Sequence, residues 1–410
     1  MKMVFSNQEI AEWKNILSDE LKNKTEREIV DYLIHLEELD LNYLYTAKNL
    51  TTLPESIGKL RNLKKLDLGF NSIETLPNSI GQLHNLQELN LSQCWIYSLP
   101  ESIGQLENLQ ELNLCDCENL RTFPENIGQL HNLTCLHLGG EYGNHLTTLP
   151  EQIGKLKKLE FLSLNCEMIS TLPEFICELE NLQELDLFCY YGLTDLPKQM
   201  GKLNNLKIIN IKYCADLTTL PESISELHLL EELNLYDCQN LIRLPENIGN
   251  LQNLKQLDLI RCKNLHIFPE SIKQLTHCQI DWDIDENAGG VYNKLWQYMA
   301  KNQQQEYCFS FDEISQLINI SVQYDLVDYW VNAKNEFKKL YPDYPDMQIK
   351  FNNMGCVERV EDLKKEALNY GYKITDISIK KQTMSFEKIN TINGITGYEF
   401  DLWLKQRQNK

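Results

Sequence analysis

Leucine and isoleucine recur in a fixed frame along most of the chain, and this frame predicts the elements. The pattern L-x-x-L-x-L runs from Leu36, Leu39 and Leu41 through Leu63, Leu66 and Leu68 to Leu254, Leu257 and Leu259. Ten copies occur, with Ile209 and Ile211 replacing leucine in one of them. The last two apolar residues of each copy stand two apart. In an extended segment both therefore point to one side and the residue between them to the other, which predicts a short strand.

A second mark punctuates the frame. Pro54, Pro77, Pro100, Pro124, Pro150, Pro173, Pro197, Pro221, Pro245 and Pro269 each follow Leu or Phe, at intervals of 23 to 26 residues. Proline has a fixed φ and no donor N–H, so it suits the start of a helical turn. Ile80 and Leu83 then fall three apart on one face. One such unit cannot bury its own leucines, but stacked units share a continuous core and pair their strands about 4.8 Å apart. A curved solenoid with a parallel sheet is expected.

These residues resemble leucine-rich repeats, in the intracellular variant that reads L-P-E-S-I-G-x-L, as in Leu53 to Leu60. The repeats of plant disease-resistance receptors and Ras-pathway scaffold proteins are of this kind. The resemblance covers about residues 36–284 and implies an α/β solenoid, a leucine-rich-repeat horseshoe with a parallel concave sheet whose usual role is protein recognition. It also implies an Asn-or-Cys position closing each strand, filled here by Asn71, Cys94, Cys117, Cys214, Cys238 and Cys262.

Outside the array the pattern changes. Ile10, Trp13, Ile16 and Leu17 have helical spacing, so residues 1–35 are expected to form a helical cap over the open apolar end. At the other end the frame decays through Leu275, Cys278, Ile280 and Trp282, a degenerate terminal repeat, and 285–290 reads as a linker. Residues 291–390 have the mixed pattern of a separate small α+β domain. Helices are expected over Val291 to Lys301, Phe311 to Ile318, Leu326 to Leu340 and Val357 to Asn369, and strands over Met347 to Phe351 and Lys373 to Ile379. Tyr324, Tyr329, Trp330 and Phe337 read as core of that domain, and 391–410 as a terminal helix or tail.

Charge narrows the partners. Of the net −20, the part up to Asp285 holds 23 basic and 42 acidic residues, and the remainder 16 and 17. An array this acidic repels nucleic-acid phosphates and anionic membranes. Neither a membrane-length apolar run nor a signal-peptide layout is present, so a soluble, cytoplasmic protein with reduced thiols is expected.

The concave surface follows from the frame. Between the paired leucines lie Asp40, Asp67, Asn90, Asn113, His137, Ser163, Asp186, Asn210, Asn234 and Asp258, and before them Glu38, Lys65, Glu88, Glu111, Cys135, Phe161, Glu184, Ile208, Glu232 and Gln256. Carboxylates dominate. Departures from the repeat consensus concentrate in the second half, at Phe161, Phe188, Ile208, Tyr213, Tyr236 and Ile260. Together with Glu184, Asp186 and Glu232 they form a candidate site, centred on repeats five to nine, for a protein with basic and apolar groups. The spacing Gly139 to His145 predicts a loop bulging from the solenoid. Cys135 and His137 share a strand face near Cys115, but no tight Cys-x-x-Cys cluster accompanies them, and neither a metal nor any other cofactor is expected.

No phosphate-binding G-x-x-x-x-G-K-[ST], G-x-S-x-G or H-E-x-x-H motif occurs, so a non-catalytic scaffold in signalling or defence is the first expectation. Two rival readings carry an enzyme. Ile395 to Phe400 is similar to the opening helix of Mrr-type restriction endonuclease domains, whose acidic and lysine strands would have to lie beyond Lys410. Bacterial leucine-rich-repeat ubiquitin ligases pair such repeats with a catalytic Cys, for which Cys308 and Cys356 are the candidates. Asp312 to Ile320 is similar to a helix-turn-helix, but acids match the following Lys334, Lys338 and Lys339.

Overall fold

The computed structural model describes residues 5–43, 49–165, 168–188, 192–265 and 267–282, together with four backbone strands between 306 and 396. The expected linker 285–290, the four helices expected after it, the strand at Met347 to Phe351 and the aromatic residues Tyr324, Tyr329, Trp330 and Phe337 lie outside the described residues.

Eleven three- and four-residue strands form one parallel sheet. They are β1 (Glu38–Asp40), β2 (Lys65–Asp67), β3 (Glu88–Asn90), β4 (Glu111–Asn113), β5 (Cys135–Leu138) and β6 (Phe161–Leu164), followed by β7 (Glu184–Asp186), β8 (Ile208–Asn210), β9 (Glu232–Asn234), β10 (Gln256–Asp258) and β12 (Gln279–Asp281). β11 (Ile267–Pro269) lies outside that sheet. Each strand pairs with the next at the same repeat position, so Leu66 faces Leu89 and Leu89 faces Leu112. The sheet is unclosed and ordered as the sequence is, which is the solenoid the frame predicts.

The opposite side carries short 3-10 helices such as Glu55–Lys59, Asn78–Gln82 and Glu101–Gln105. Proline stands just before most of them in extended conformation, with Pro77 at φ −67° and ψ 149°. Its ring sets the entry without taking part in the helix. In a 3-10 helix residues three apart eclipse, so Ile80 lies over Leu83, and both are completely buried.

Two side-chain ladders hold successive repeats together. Cys94, Cys117, Cys214, Cys238 and Cys262 each donate an S–H to the carbonyl of the residue just past the strand one repeat back, at 3.0 to 3.2 Å. Asn71 performs the same task with its amide, bonding the carbonyls of Leu41 and Leu68. On the entry side Asn85, Asn108 and Asn132 reach back to the carbonyls of Arg61, His84 and Glu107. The Asn ladder gives the entry carbonyls a donor, and the Cys ladder adds a thiol to turn carbonyls of which those of Leu91, Ile211 and Leu235 also accept a backbone N–H.

The N-terminal cap is three helices, α1 (Asn7–Ile16), α2 (Ser18–Leu21) and α3 (Glu26–His35). Ser6 with Glu9 and Thr25 with Glu28 form capping boxes that start α1 and α3. Ile10, Trp13 and Leu17 are buried and Ile16 is half-buried, as their spacing requires. The Trp13 indole N–H donates to Ser56 at 3.0 Å, and Lys59 pairs with Glu9 at 2.6 Å, so the cap is bonded to the first convex helix.

At the other end, β11 pairs antiparallel with β16 (Gly394–Thr396), Phe268 opposite Ile395. The sequence places these residues in a helix or tail and likens Ile395 to Phe400 to a nuclease helix; Gly394–Thr396 is instead a strand on the last repeat. A separate antiparallel sheet joins β13 (Glu306–Ser310), β15 (Thr383–Lys388) and β14 (Tyr372–Ser378), the last within a residue of the strand expected at Lys373 to Ile379.

Candidate functional site

The concave face carries three parallel rows, and they differ in what their side chains are free to do. The middle row, between the paired leucines, is largely committed to the fold. Asp67, Asn90, Asn113, Asp186, Asn210, Asn234 and Asp258 each accept from the backbone N–H two residues on, at 2.9 to 3.3 Å. This is the Asx-turn bond, and it holds the chain as it leaves the strand. Asp186 also accepts from the Asn210 amide at 2.9 Å. Burial pushes its pKa up, although those two bonds pull the other way. Of the candidate site residues, Asp186 is thus a turn anchor as well as a surface group.

The second row lies at the strand exits. Phe188 meets Tyr213 edge-on with ring centroids 5.6 Å apart, and Tyr213 meets Tyr236 at 5.3 Å. Arg261 ends the row over the Tyr236 ring, 5.8 Å from its centroid, with Nη1 3.3 Å from the phenol oxygen. Asp237 holds the same guanidinium at 3.4 Å. Three half-buried rings and a cation thus run across repeats seven to ten, beside Ile260.

The backbone explains how Tyr213 joins this row. It has φ +62°, and the same left-handed conformation recurs one residue before the Asn or Cys at Phe70, Gln93, Asp116, Asp237 and Arg261. Continued strand alternation would turn this position away from the sheet face. Strand alternation alone does not identify Arg261 as a member of the row; the signal lies in the position before Cys262.

The first row precedes the middle one: Cys135, Phe161, Glu184, Ile208, Glu232 and Gln256 stand side by side in register. Burial raises the pKa of Glu184, and the charges acting on it, from Asp186 and Glu232, are both negative. Ile208 lies between the two glutamates. Phe161 is in this row, not the aromatic one: it packs on His137 at 4.8 Å. The structure therefore divides the nine predicted residues between two rows and the middle anchor.

Cys135 Sγ lies 3.0 Å from His137 Nε2, and Glu111 lies 3.8 Å from the same nitrogen. Burial pushes the Cys135 thiol up to about 12 and lowers the His137 imidazole, which favours a neutral pair over thiolate and imidazolium. Cys115 is likewise raised, to about 11. Among the described residues no group of three or more His, Cys, Asp or Glu could hold a metal ion. Cys308 lies in β13, and Cys356 lies outside the described residues.

Family comparison bears on the whole array. The sequence model for leucine-rich repeat regions matches residues 15–140 and 80–191, and that for Zer-1-like leucine-rich repeats matches 197–280. The chain belongs to the leucine-rich repeat family. A leucine-rich repeat protein of Leptospira interrogans is 26% identical, covering 66% of this chain and 95% of its own, with a TM-score of 0.37. The leucine-rich repeat domain of the type III effector XopL is 24% identical over 67% of this chain and 88% of that one, with a TM-score of 0.45. A TDR receptor structure is 25% identical over 60% of this chain and 47% of its own, with a TM-score of 0.46. A search of curated proteins gives no match.

The two halves of this leucine-rich repeat surface differ electrostatically. In the first half a groove is lined by Glu38, Asp40, Lys65, Asp67, Glu88 and Glu111, and Lys65 neutralises Glu88 at 2.8 Å. In the second half the first-row carboxylates surround an isoleucine. No helix among the described residues is long and apolar enough to cross a membrane.

Proposed function

We propose that this leucine-rich repeat protein is a non-catalytic recognition scaffold that holds a partner protein on the concave face of repeats six to ten, in cytoplasmic signalling or defence. The aromatic row Phe188, Tyr213 and Tyr236 carries the reading. Half-buried rings packed edge to edge present apolar area whose conformational entropy is already lost, which is the composition of binding hot spots. Glu184 and Glu232, close to like charge, favour a partner that brings cations. Residues 291–410 form, on this reading, a second unit that positions or relays to another component, with Gly394–Thr396 on β11 as its link to the array.

The test is affinity capture with the full chain and with a Phe188→Ala, Tyr213→Ala, Tyr236→Ala variant of matched urea stability. Proteins retained by the first and lost from the second, then shown to bind as purified components, are the expected result. Identical capture by both chains overturns the assignment of this surface.

A further inference from the structure

The spacing of the aromatic row distinguishes between shapes of partner. Successive centroids are 5.6 and 5.3 Å apart, and because Tyr213 stands one residue further along its repeat than Phe188 and Tyr236, the advance from ring to ring along the array is no greater than these distances. An extended segment presents same-side residues about every 6.6 to 6.8 Å, and drifts out of phase by more than 1 Å per repeat. An α-helix has a pitch of about 5.4 Å, so residues one turn apart stay in phase with Phe188, Tyr213 and Tyr236.

The width agrees. Glu184 and Phe188 are four residues apart in sequence, which places the first row and the aromatic row up to about 13 Å apart. A helix with its side chains is about 10 to 12 Å across. Laid between them, it meets the rings along one flank and the Glu184, Ile208 and Glu232 row along the other. The middle row under it is bonded into the turns.

Charge selects the second flank. The array carries nearly all of the net −20. Glu184 is partly buried and stands in one row with Glu232 across Ile208, with Asp186 beside it, so a lysine or arginine placed there meets carboxylates that disfavour one another. We infer that the occupant of the concave face is a cationic amphipathic helix of a partner protein, its apolar stripe on Phe188, Tyr213 and Tyr236 and its basic flank on Glu184 and Glu232. This rests on the surface proposed above and adds the form and charge of what binds there.

Two synthetic 18-residue peptides of equal leucine and lysine content test it, one with leucines at helical spacing and one with strict alternation. Each is titrated against the full chain in 0.15 M salt, and against Tyr213→Ala and Glu184→Gln, Glu232→Gln variants. The helically patterned peptide is expected to bind more tightly, to gain helical circular dichroism, and to lose at least about tenfold in affinity in Tyr213→Ala. Hydrogen exchange in the unmodified chain should slow at Phe188 and over 212–236, which reads the site without relying on a variant's folding. Tighter binding of the alternating peptide with the same protected segment overturns the helix and leaves the surface standing. Binding of either peptide that protects neither segment and ignores the substitutions overturns both.

Discussion

Replacing Gly81 with Ala should destabilise the array, although intrinsic preferences have the opposite sign. In a helix interior alanine is favoured over glycine by about 1 kcal/mol, and it also reduces unfolded-state entropy. Gly81 lies in the convex helix Asn78–Gln82, and a Cβ there would stand 2.5 Å from the Ser102 carbonyl oxygen and 2.9 Å from Ser102 Cβ of the next helix. Neither neighbour is a flexible side-chain tip, so the next convex helix must move. Overpacking of this kind costs roughly 1 to 3 kcal/mol.

The protein already contains the experiment. The equivalent position is Cys177 in repeat six and Ser225 in repeat eight, and the convex helices that follow them are the three-residue Met200–Lys202 and Ile248–Asn250. Helices that follow Gly58, Gly81, Gly104, Gly128, Gly154, Gly201 and Gly249 have five residues. The residues displaced from the shortened helices, Gln199 and Asn247, correspond to Ser102, and they lie near φ −100° and ψ 22 to 25°. Gly81→Ala is therefore expected to lower the urea midpoint and speed exchange over Glu101–Gln105, while Cys177→Ala, where a Cβ is already accommodated, leaves the neighbouring helix unchanged. A Gly81→Ala chain as stable as the parent, with unaltered exchange in that helix, refutes close approach as the reason for this glycine.

Other expectations are independent of that one. Cys238→Ala should cost about 0.5 to 1.5 kcal/mol in urea denaturation, because it removes the thiol donor from the buried Ile211 carbonyl, which keeps the longer 3.4 Å bond from the Cys214 N–H. In native protein at pH 8, peptide mapping after iodoacetamide should find Cys94 and Cys238 unmodified, their thiols being pushed by burial to about 11 and about 12. Trp13→Ala should cost about 3 to 5 kcal/mol, since it empties a fully buried site and removes the bond to Ser56. Asp186→Asn should stabilise at pH 7. Its folded pKa is raised, so the unfavourable contribution of the charged form is present above that pKa and vanishes below the unfolded value, and the gain should disappear toward pH 3.

Much of this molecule is visible in its sequence because each repeat states the same rule again. Leu66 and Leu68 fix a strand face, Ile80 and Leu83 a helix face, and Pro77 the entry to it, and ten copies leave no competing register. Tyr213 and Arg261 depend on something the alternation rule does not contain, a left-handed residue before the closing Cys. Their identity as surface groups follows from backbone conformation, not from periodicity. The strand Gly394–Thr396 is hidden for a different reason. Three residues pairing with Ile267–Pro269 from far along the chain have no local signature, and only the free edge of the last repeat accounts for them.

The departures from consensus on the two faces fall in the same stretch of chain. Cys177 and Ser225 replace the convex glycine in repeats six and eight, and the aromatic row crosses repeats seven to nine. One repeat of about two dozen residues forms both faces, so letting a convex helix approach its neighbour more closely should also shift the strand in front of it. The paired strands are held near 4.8 Å by their hydrogen bonds, and the rings beyond their ends, with Tyr213 one residue further along its repeat than Phe188 and Tyr236, pack edge-on at 5.3 to 5.6 Å. Substituting glycine at 177 and 225 together should then change ring spacing without touching a ring. Crystallography of that variant decides it: unaltered centroid distances would mean that the two faces are set independently.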